Sequence, residues 1–325
     1  MREQQFIYEN ESRWKKVESH LAGHNKLDAD ELANAYISLT DDLAFARSSY
    51  PQSSLVSYLN NLAASFHNAI YRHQVKEQRF SKFWTTDLPL VMYEAFPAMK
   101  LSLLIFVISI LIGGFSSWQN PGFPRQVLGD EYVDMTEQNI AKGDPLAVYK
   151  SESQTGMFLG IGINNVKVAL LAFAVGLLSS FFTGFILLSN GIMVGCFLYY
   201  FIAKGLGWIA ISTIFLHGAL ELSCIVLAGG AGIVLGNSWL FPGTYPRLTA
   251  LVIQARKGLS IMLGITPVII LAALLESFLT RHYQSLLDVS RMGVIVISFA
   301  FIIGYYVVYP MLLTNSLKSI ENKWK

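Results

Sequence analysis

Apolar residues recur every three or four positions through the first seventy residues, and from about residue 100 onward they run together in blocks of roughly twenty. The first regime reads as amphipathic helix. In "FIYENESRWKKVESHL", Phe6, Trp14, Val17 and Leu21 share one face. Leu32, Tyr36, Leu39, Leu43 and Ala46 repeat the stripe in "DADELANAYISLTDDLAFARSSYP", which Pro51 closes, and Leu55, Tyr58, Leu59, Leu62, Phe66 and Ile70 form a third. These three stripes predict a small helical bundle over residues 1–76. "FSKFWTTDLPLVMYEAFPAMK" carries aromatics, two prolines and flanking lysines, so residues 77–99 are expected to lie in a membrane interface and feed the first span.

The second regime predicts an all-α, polytopic membrane domain over residues 100–313. Its spans are "KLSLLIFVISILIGGFSSW", "NNVKVALLAFAVGLLSSFFTGFILL", "NGIMVGCFLYYFIAK", "GWIAISTIFLHGALELSCIVLAGGAGIVLG", "LSIMLGITPVIILAALLESFLT" and "GVIVISFAFIIGYYVVYPMLL". A polar loop over 119–156 separates the first two spans, and a basic tail occupies 314–325. The weakest piece is 189–203, barely long enough to cross. If it were re-entrant, Arg247, Arg256, Lys257 and the tail would be exported. The positive-inside rule therefore favours six crossings with both termini in the cytoplasm, with Lys204 as an exception on the outer side. The outer loop sets Arg125, Lys142 and Lys150 against Asp130, Glu131, Asp134, Glu137, Asp144 and Glu152, an acidic excess.

Composition sharpens this picture. The 325 residues are 53% hydrophobic and only 14% charged, and the mean hydropathy of +0.44 is far from that of a soluble domain. A formal charge of +2 gives no reason to expect a nucleic-acid partner. Cys196 and Cys224 both fall inside apolar segments, where a thiol behaves as a small hydrophobe, so no disulfide framework is expected. "MREQQFIYENESRWKK" lacks the apolar core of a signal peptide, in keeping with a cytoplasmic N-terminus.

Three ionisable residues fall at membrane depth: His217, Glu221 and Glu276. At about 1.5 Å per helical residue, His217 lies roughly 13 Å and Glu276 roughly 6 Å from the outer ends of their spans, in the same leaflet. A charge near the bilayer centre costs at least about 2.5–3.5 kcal/mol, so such groups face the bundle interior and find partners. Their neighbours agree. His217, Glu221, Cys224, Ala228 and Gly232 make one stripe of small or polar residues. Gly264, Val268, Ala272, Glu276 and Thr280 make a second, and Ala169, Ala172, Gly176, Ser180 and Thr183 a third.

Three readings compete. The groups can glue helices together, carry a proton or solute, or hold a metal. For the last, His217 and Glu221 have the i,i+4 spacing of metal ligands, but two ligands are few and H-E-x-x-H is absent, so no metal, no cofactor and no enzymatic activity are expected. The glycines of "LGIGINN" do not follow a strand, which removes a dinucleotide site. Gly232-x-x-x-Gly236 has the spacing that lets helix backbones approach closely and, with the apolar surface of the spans, suggests a homodimer.

The succession "NNVKVALLAFAVG", "LLSNGIMVG", "HGALELSCIVLAGGAGIVLG", "PG" and "AALLESFLT" resembles the stage II sporulation protein M family of integral membrane proteins, with HG-x-x-EL and the glycines after it as the most specific block. The resemblance marks Asn164, Asn165, Asn190, Gly191, Gly218, Gly229, Gly232 and Gly236 as helix-packing or polar motif positions. "RWKKVE", "LANAYISLTDDLAFARSSYP" and "YLNNLAASFHNAIY" are similar to the cytoplasmic extension of non-sporulating members. The resemblance implies a non-enzymatic scaffold in a bacterial inner membrane. Its implied partners are envelope membrane proteins or peptidoglycan-active enzymes, and a MoxR-type ATPase system. A transporter or channel using the His217, Glu221 and Glu276 seam is the alternative.

Overall fold

The computed structural model describes residues 2–25, 27–147 and 154–323, side chains excepted at 29, 70–79, 154, 281 and 321–323. The chain divides into two compact units, Met1–Phe83 and Trp84–Lys325.

The first unit packs α1 (Glu3–Leu21), α2 (Ala29–Ser49) and α3 (Ser54–Lys82) around one apolar core. Phe6, Trp14, Val17, Leu39, Leu43, Ala46, Leu55, Leu59, Leu62 and Phe66 are all buried there, so the three stripes meet as their spacing requires. Asp28 starts α2 through a complete capping box: its carboxylate accepts from Glu31 N–H at 2.8 Å and its own N–H donates to Glu31 Oε2 at 3.1 Å. Asp42 accepts the Trp14 indole N–H at 2.8 Å and pairs with Arg13, so the polar edge of the largest core side chain is satisfied. Tyr58 stays half on the surface, with its hydroxyl donating to Glu18, and the Ile70 side chain lies outside the described ones.

Among the described residues six helices are long and apolar enough to cross a membrane, 80–119, 155–177, 180–203, 207–240, 247–279 and 288–320, and all but the first four residues of the first belong to the second unit. Leu104, Leu111, Phe115, Phe181, Leu263 and Val296 point outward and give it an apolar coat. The long central helix α9 (Gly207–Leu240) is the most enclosed of the six and packs against α4 (Leu88–Gln119), α7 (Gln154–Ala174), α8 (Ser180–Ala203), α10 (Arg247–Leu274) and α11 (Asp288–Ile303).

The second and third spans divide elsewhere than expected. The sequence places their junction at residue 188, leaving a fifteen-residue remnant. The helix instead breaks at Leu178 and Ser179, where the Ser179 hydroxyl accepts the Phe181 N–H and caps a full 24-residue α8. The run of leucines and phenylalanines across this break hides it from hydropathy, and the marginal span disappears. Two further joins are continuous. Helix α4 runs unbroken from Leu88 past Lys100, and Arg247–Leu274 joins the segment carrying Arg247, Arg256 and Lys257 to the fifth span.

The expected polar loop is itself partly helical. Helices α5 (Phe123–Leu128) and α6 (Asp130–Ala141) form a cap whose Val133 and Leu146 share a core with Tyr200, Phe201, Ala210 and Tyr283. Tyr283 donates to Asp144 at 2.6 Å, and Lys204 pairs with Glu137 at 3.0 Å. These ties gather residues 120–147, 204–206 and 280–287 at one end of the bundle. The loop charges Lys150 and Glu152 lie outside the described residues.

Along the bundle, helices meet backbone to backbone. A methyl group on Gly195 would collide with the Ile110 carbonyl, and one on Gly232 with the Ala172 carbonyl. Thr183 seals the latter contact by donating to the same Ala172 oxygen at 2.9 Å. Gly236 lies against Ser180 in the same way. The Gly232-x-x-x-Gly236 pair therefore docks α9 onto α7 and α8 of its own chain. The spacing carries no argument for a dimer.

Candidate functional site

Helix α9 presents His217 and Glu221 one turn apart, and its segment Leu216–Leu220 is buried throughout. Opposite them, α10 ends in a π-turn over Leu275–Leu279 that holds Glu276 and Ser277 in the interior. A π-turn adds a residue to the helical repeat and displaces the side chains that follow from the regular stripe, a device frequent at functional sites. His217 and Glu276 are only 4% and 8% exposed, and Glu221 is half-buried.

The contacts define an oriented imidazole. His217 Nδ1 lies 3.1 Å from Thr280 Oγ1, and that hydroxyl lies 3.3 Å from the Leu275 carbonyl. With the hydroxyl donating to the carbonyl, it accepts from Nδ1–H, which leaves the lone pair of Nε2 directed toward Glu276 Oε1 at 3.6 Å. One imidazole nitrogen and one oxygen from each carboxylate lie within 4.8 Å of one another. The expectation of no metal-ligand set rested on two residues; the fold brings a third donor to them, and His217, Glu221 and Glu276 together could hold a cation.

Two cavities reach the cluster. One of about 360 Å³ runs beneath the cap and is lined by Tyr132, Asn164, Asn165, Asn190, His217 and Glu221 among many apolar side chains. The other, about 340 Å³, is lined by Gly160, Ile161, Asn164, Asn165, His217, Glu221 and Glu276. Along α9 the lining ends at Ile225, before the glycine contacts begin. Tyr132, from the cap, has its phenol pushed up to about 12 by burial and stays neutral at physiological pH.

The motif residues take several roles. Asn165 is 7% exposed and lines both cavities; its Nδ2 sits beside the Glu221 carboxylate without a hydrogen bond inside 3.5 Å, and its Oδ1 accepts from Asn164 at 3.5 Å. Asn190 spends a donor on the Ile186 carbonyl of its own helix. Gly191 seats α8 against Phe106 and Ser109 of α4, and Gly229 makes room for Leu187 and for the Ser102 hydroxyl, which donates to Val226 O at 2.7 Å. Gly218 differs, because a methyl group there would meet only Ile214 of its own helix at 3.5 Å. It keeps the cavity wall open instead of packing a helix.

One buried charge escaped the sequence reading. Arg291 is 9% exposed at the start of α11, donating to Ser212 Oγ at 2.9 Å and paired with Asp288, which also accepts from the Trp208 indole. The signal was present as Asp288-x-x-Arg291 at the head of an apolar run, the i,i+3 spacing of a helical ion pair.

The family model of stage II sporulation protein M matches residues 102–281, which contain the cap, the cluster and both cavities. A second model, a domain of unknown function (DUF8413), matches residues 4–72 in the N-terminal unit. Neither a curated protein nor a solved structure matches the chain.

Proposed function

Since the chain belongs to the stage II sporulation protein M family, we propose that it is a non-enzymatic membrane scaffold that recruits partner proteins in cell-envelope assembly or remodelling. The observation that supports this reading is the close packing around the middle of α9. On α9 the two cavities at the cap end reach no further than Ile225, and a third of about 400 Å³, lined by Glu94, Asn237, Ser238 and Lys257, begins from the other end at Ile233; between them Gly229 and Gly232 hold α9 in contact with its neighbours. In this reading the membrane is the bacterial inner membrane, both termini are cytoplasmic, and the cap faces outward. The N-terminal unit, with its own core, offers partners a surface on the cytoplasmic side, and the cap offers one outside. Envelope membrane proteins, peptidoglycan-active enzymes and a MoxR-type ATPase system are the partners in view.

Crosslinking followed by pull-down from native membranes tests the proposal. The scaffold reading expects envelope proteins captured by the full chain and lost, in part, when residues 1–83 are deleted; an unchanged set after deletion removes the recruiting role of that unit. A cysteine at Lys323 that an impermeant maleimide labels in intact cells would overturn the orientation.

Transport is the second reading, favoured by the ionisable His217, Glu221 and Glu276, which line one cavity together while the first two line another. Glu221→Gln separates the two, because it keeps shape and hydrogen bonding while removing the charge. A scaffold tolerates it. Loss of a proton or solute flux in liposomes, with folding and assembly intact, would put the transporter in its place.

A further inference from the structure

We propose that His217, Glu221 and Glu276 form a binding site for one divalent transition-metal ion of the zinc class, with Thr280 and Asn165 as supporting residues. The proposal is independent of the scaffold reading.

Ligand chemistry comes first. One imidazole and two carboxylates form the nitrogen and oxygen set that suits zinc and its neighbours in the first transition row, whereas magnesium and calcium favour oxygen throughout. Charge comes second. A dication held by one neutral imidazole and two carboxylates sums to zero, which matters for a group of this kind enclosed in an apolar bundle.

Geometry is the third argument. Two ligands about 2.1 Å from a tetrahedral ion stand roughly 3.4 Å apart. His217 Nε2 and Glu276 Oε1 are 3.6 Å apart already. The widest separation within the triad is at most 4.8 Å, so a movement of about an ångström closes it, and Glu221 borders open cavity on both sides.

Two independent features point to an occupant. The Thr280 hydroxyl lies 3.1 Å from Nδ1, and when it accepts from Nδ1–H the Nε2 lone pair faces the ion, the arrangement that metal-bound histidines obtain from an oxygen behind the ring. Asn165 is more than nine-tenths buried and lines the same cavity as all three ligands; its Nδ2 makes no hydrogen bond within 3.5 Å, the Glu221 carboxylate being its nearest claimant. A buried amide donor without a hydrogen bond is unfavourable. Three protein ligands leave a fourth position open on a tetrahedral ion, and a water held there would offer the acceptor that Asn165 lacks.

The test uses the full chain in mild detergent or nanodiscs, purified without chelator through an affinity tag free of histidine. After equilibration with Zn²⁺ and gel filtration, metal analysis is expected to find about one zinc per chain, and Co²⁺ in its place should give the visible absorption of a tetrahedral nitrogen and oxygen site. Glu276→Gln and Glu221→Gln should each weaken zinc binding by more than about tenfold, and Thr280→Val by roughly 10–100-fold through loss of ring orientation. Should the glutamine variants fail to fold, the wild-type chain still decides the matter: its unfolding midpoint must rise with added Zn²⁺ and fall with chelator. The proposal is overturned if the loaded chain retains only traces of metal. It is equally overturned if the glutamine variants bind zinc as the parent does, which would mark an adventitious ion only, or if the midpoint ignores both additions.

Discussion

Replacing Gly232 by alanine asks how tightly α9 is seated against α7 and α8. A methyl group there would press into the Ala172 carbonyl of α7 and stand 2.6 Å from Thr183 Oγ1, where 3.4 Å is ordinary contact. Helix α9 would have to retreat by about an ångström, and the Thr183 bond to Ala172 would stretch with it. Overpacking of this kind costs typically 1–3 kcal/mol, and a membrane interhelical hydrogen bond averages about 0.6 kcal/mol. Against these, alanine gains roughly 0.5–1 kcal/mol over glycine inside a helix. The expected net loss is about 1–2 kcal/mol. Gly293→Ala on α11 is the control, because nothing lies within 4 Å of its added methyl and only the helical gain remains. Thermal unfolding in mild detergent can be followed with a maleimide dye, since the chain's two thiols, Cys196 and Cys224, are both buried. If Gly232→Ala unfolds no earlier than Gly293→Ala, the close approach of α9 to α7 and α8 is wrong. If it also changes the assembly state, the glycine pair belongs to an interface between chains.

Asp42→Ala should destabilise the N-terminal unit by about 1–3 kcal/mol, since it leaves the buried Trp14 indole N–H unsatisfied, and tryptophan fluorescence during urea unfolding would show it. Asp28→Ala, which removes the capping box of α2, should cost about 1 kcal/mol in the same measurement, while Asp28→Asn should retain most of it. The Tyr283 phenol is pushed up to about 12 by burial first and by Asp144 beside it second. Its folded pKa lies above the unfolded value, so its contribution to holding the cap is complete below about pH 10 and lost as pH rises through 12. Tyrosinate absorbance and protease cleavage in the cap should rise together across that window, and Tyr283→Phe should abolish their coupling.

The periods of hydrophobicity made the two regimes legible, because burying one face of a helix and coating all of it demand different patterns. Phe6, Trp14, Leu39 and Phe66 were readable as core for that reason. The junction at Ser179 was not, since a capping serine between two apolar helices leaves no trace in a hydropathy average. His217, Glu221 and Glu276 stood out because ionisable groups at membrane depth are costly, and the structure brings them together. Their environment was less visible. The π-turn beneath Glu276 and the orientation of His217 by Thr280 depend on side-chain contacts between helices that no spacing along one helix encodes. Gly232 and Gly236 show the converse: the motif was correctly read as close packing, but spacing alone does not say which helix approaches.

The cap joins residues that the ribosome delivers far apart in time. Asp144 and Leu146 follow the first span, whereas Tyr283 emerges only after the fifth, 139 residues later than Asp144. Until then Leu146 has no Tyr283 to pack against and Asp144 no phenol to accept from. Closing so long a loop is deferred until the intervening helices have inserted and shortened the effective distance. The docked cap thus works as a completion mark: a chain truncated before Tyr283 should insert its earlier spans yet keep a protease-sensitive segment around Asp144, and a quality-control protease could read that exposed segment as the sign of an unfinished protein.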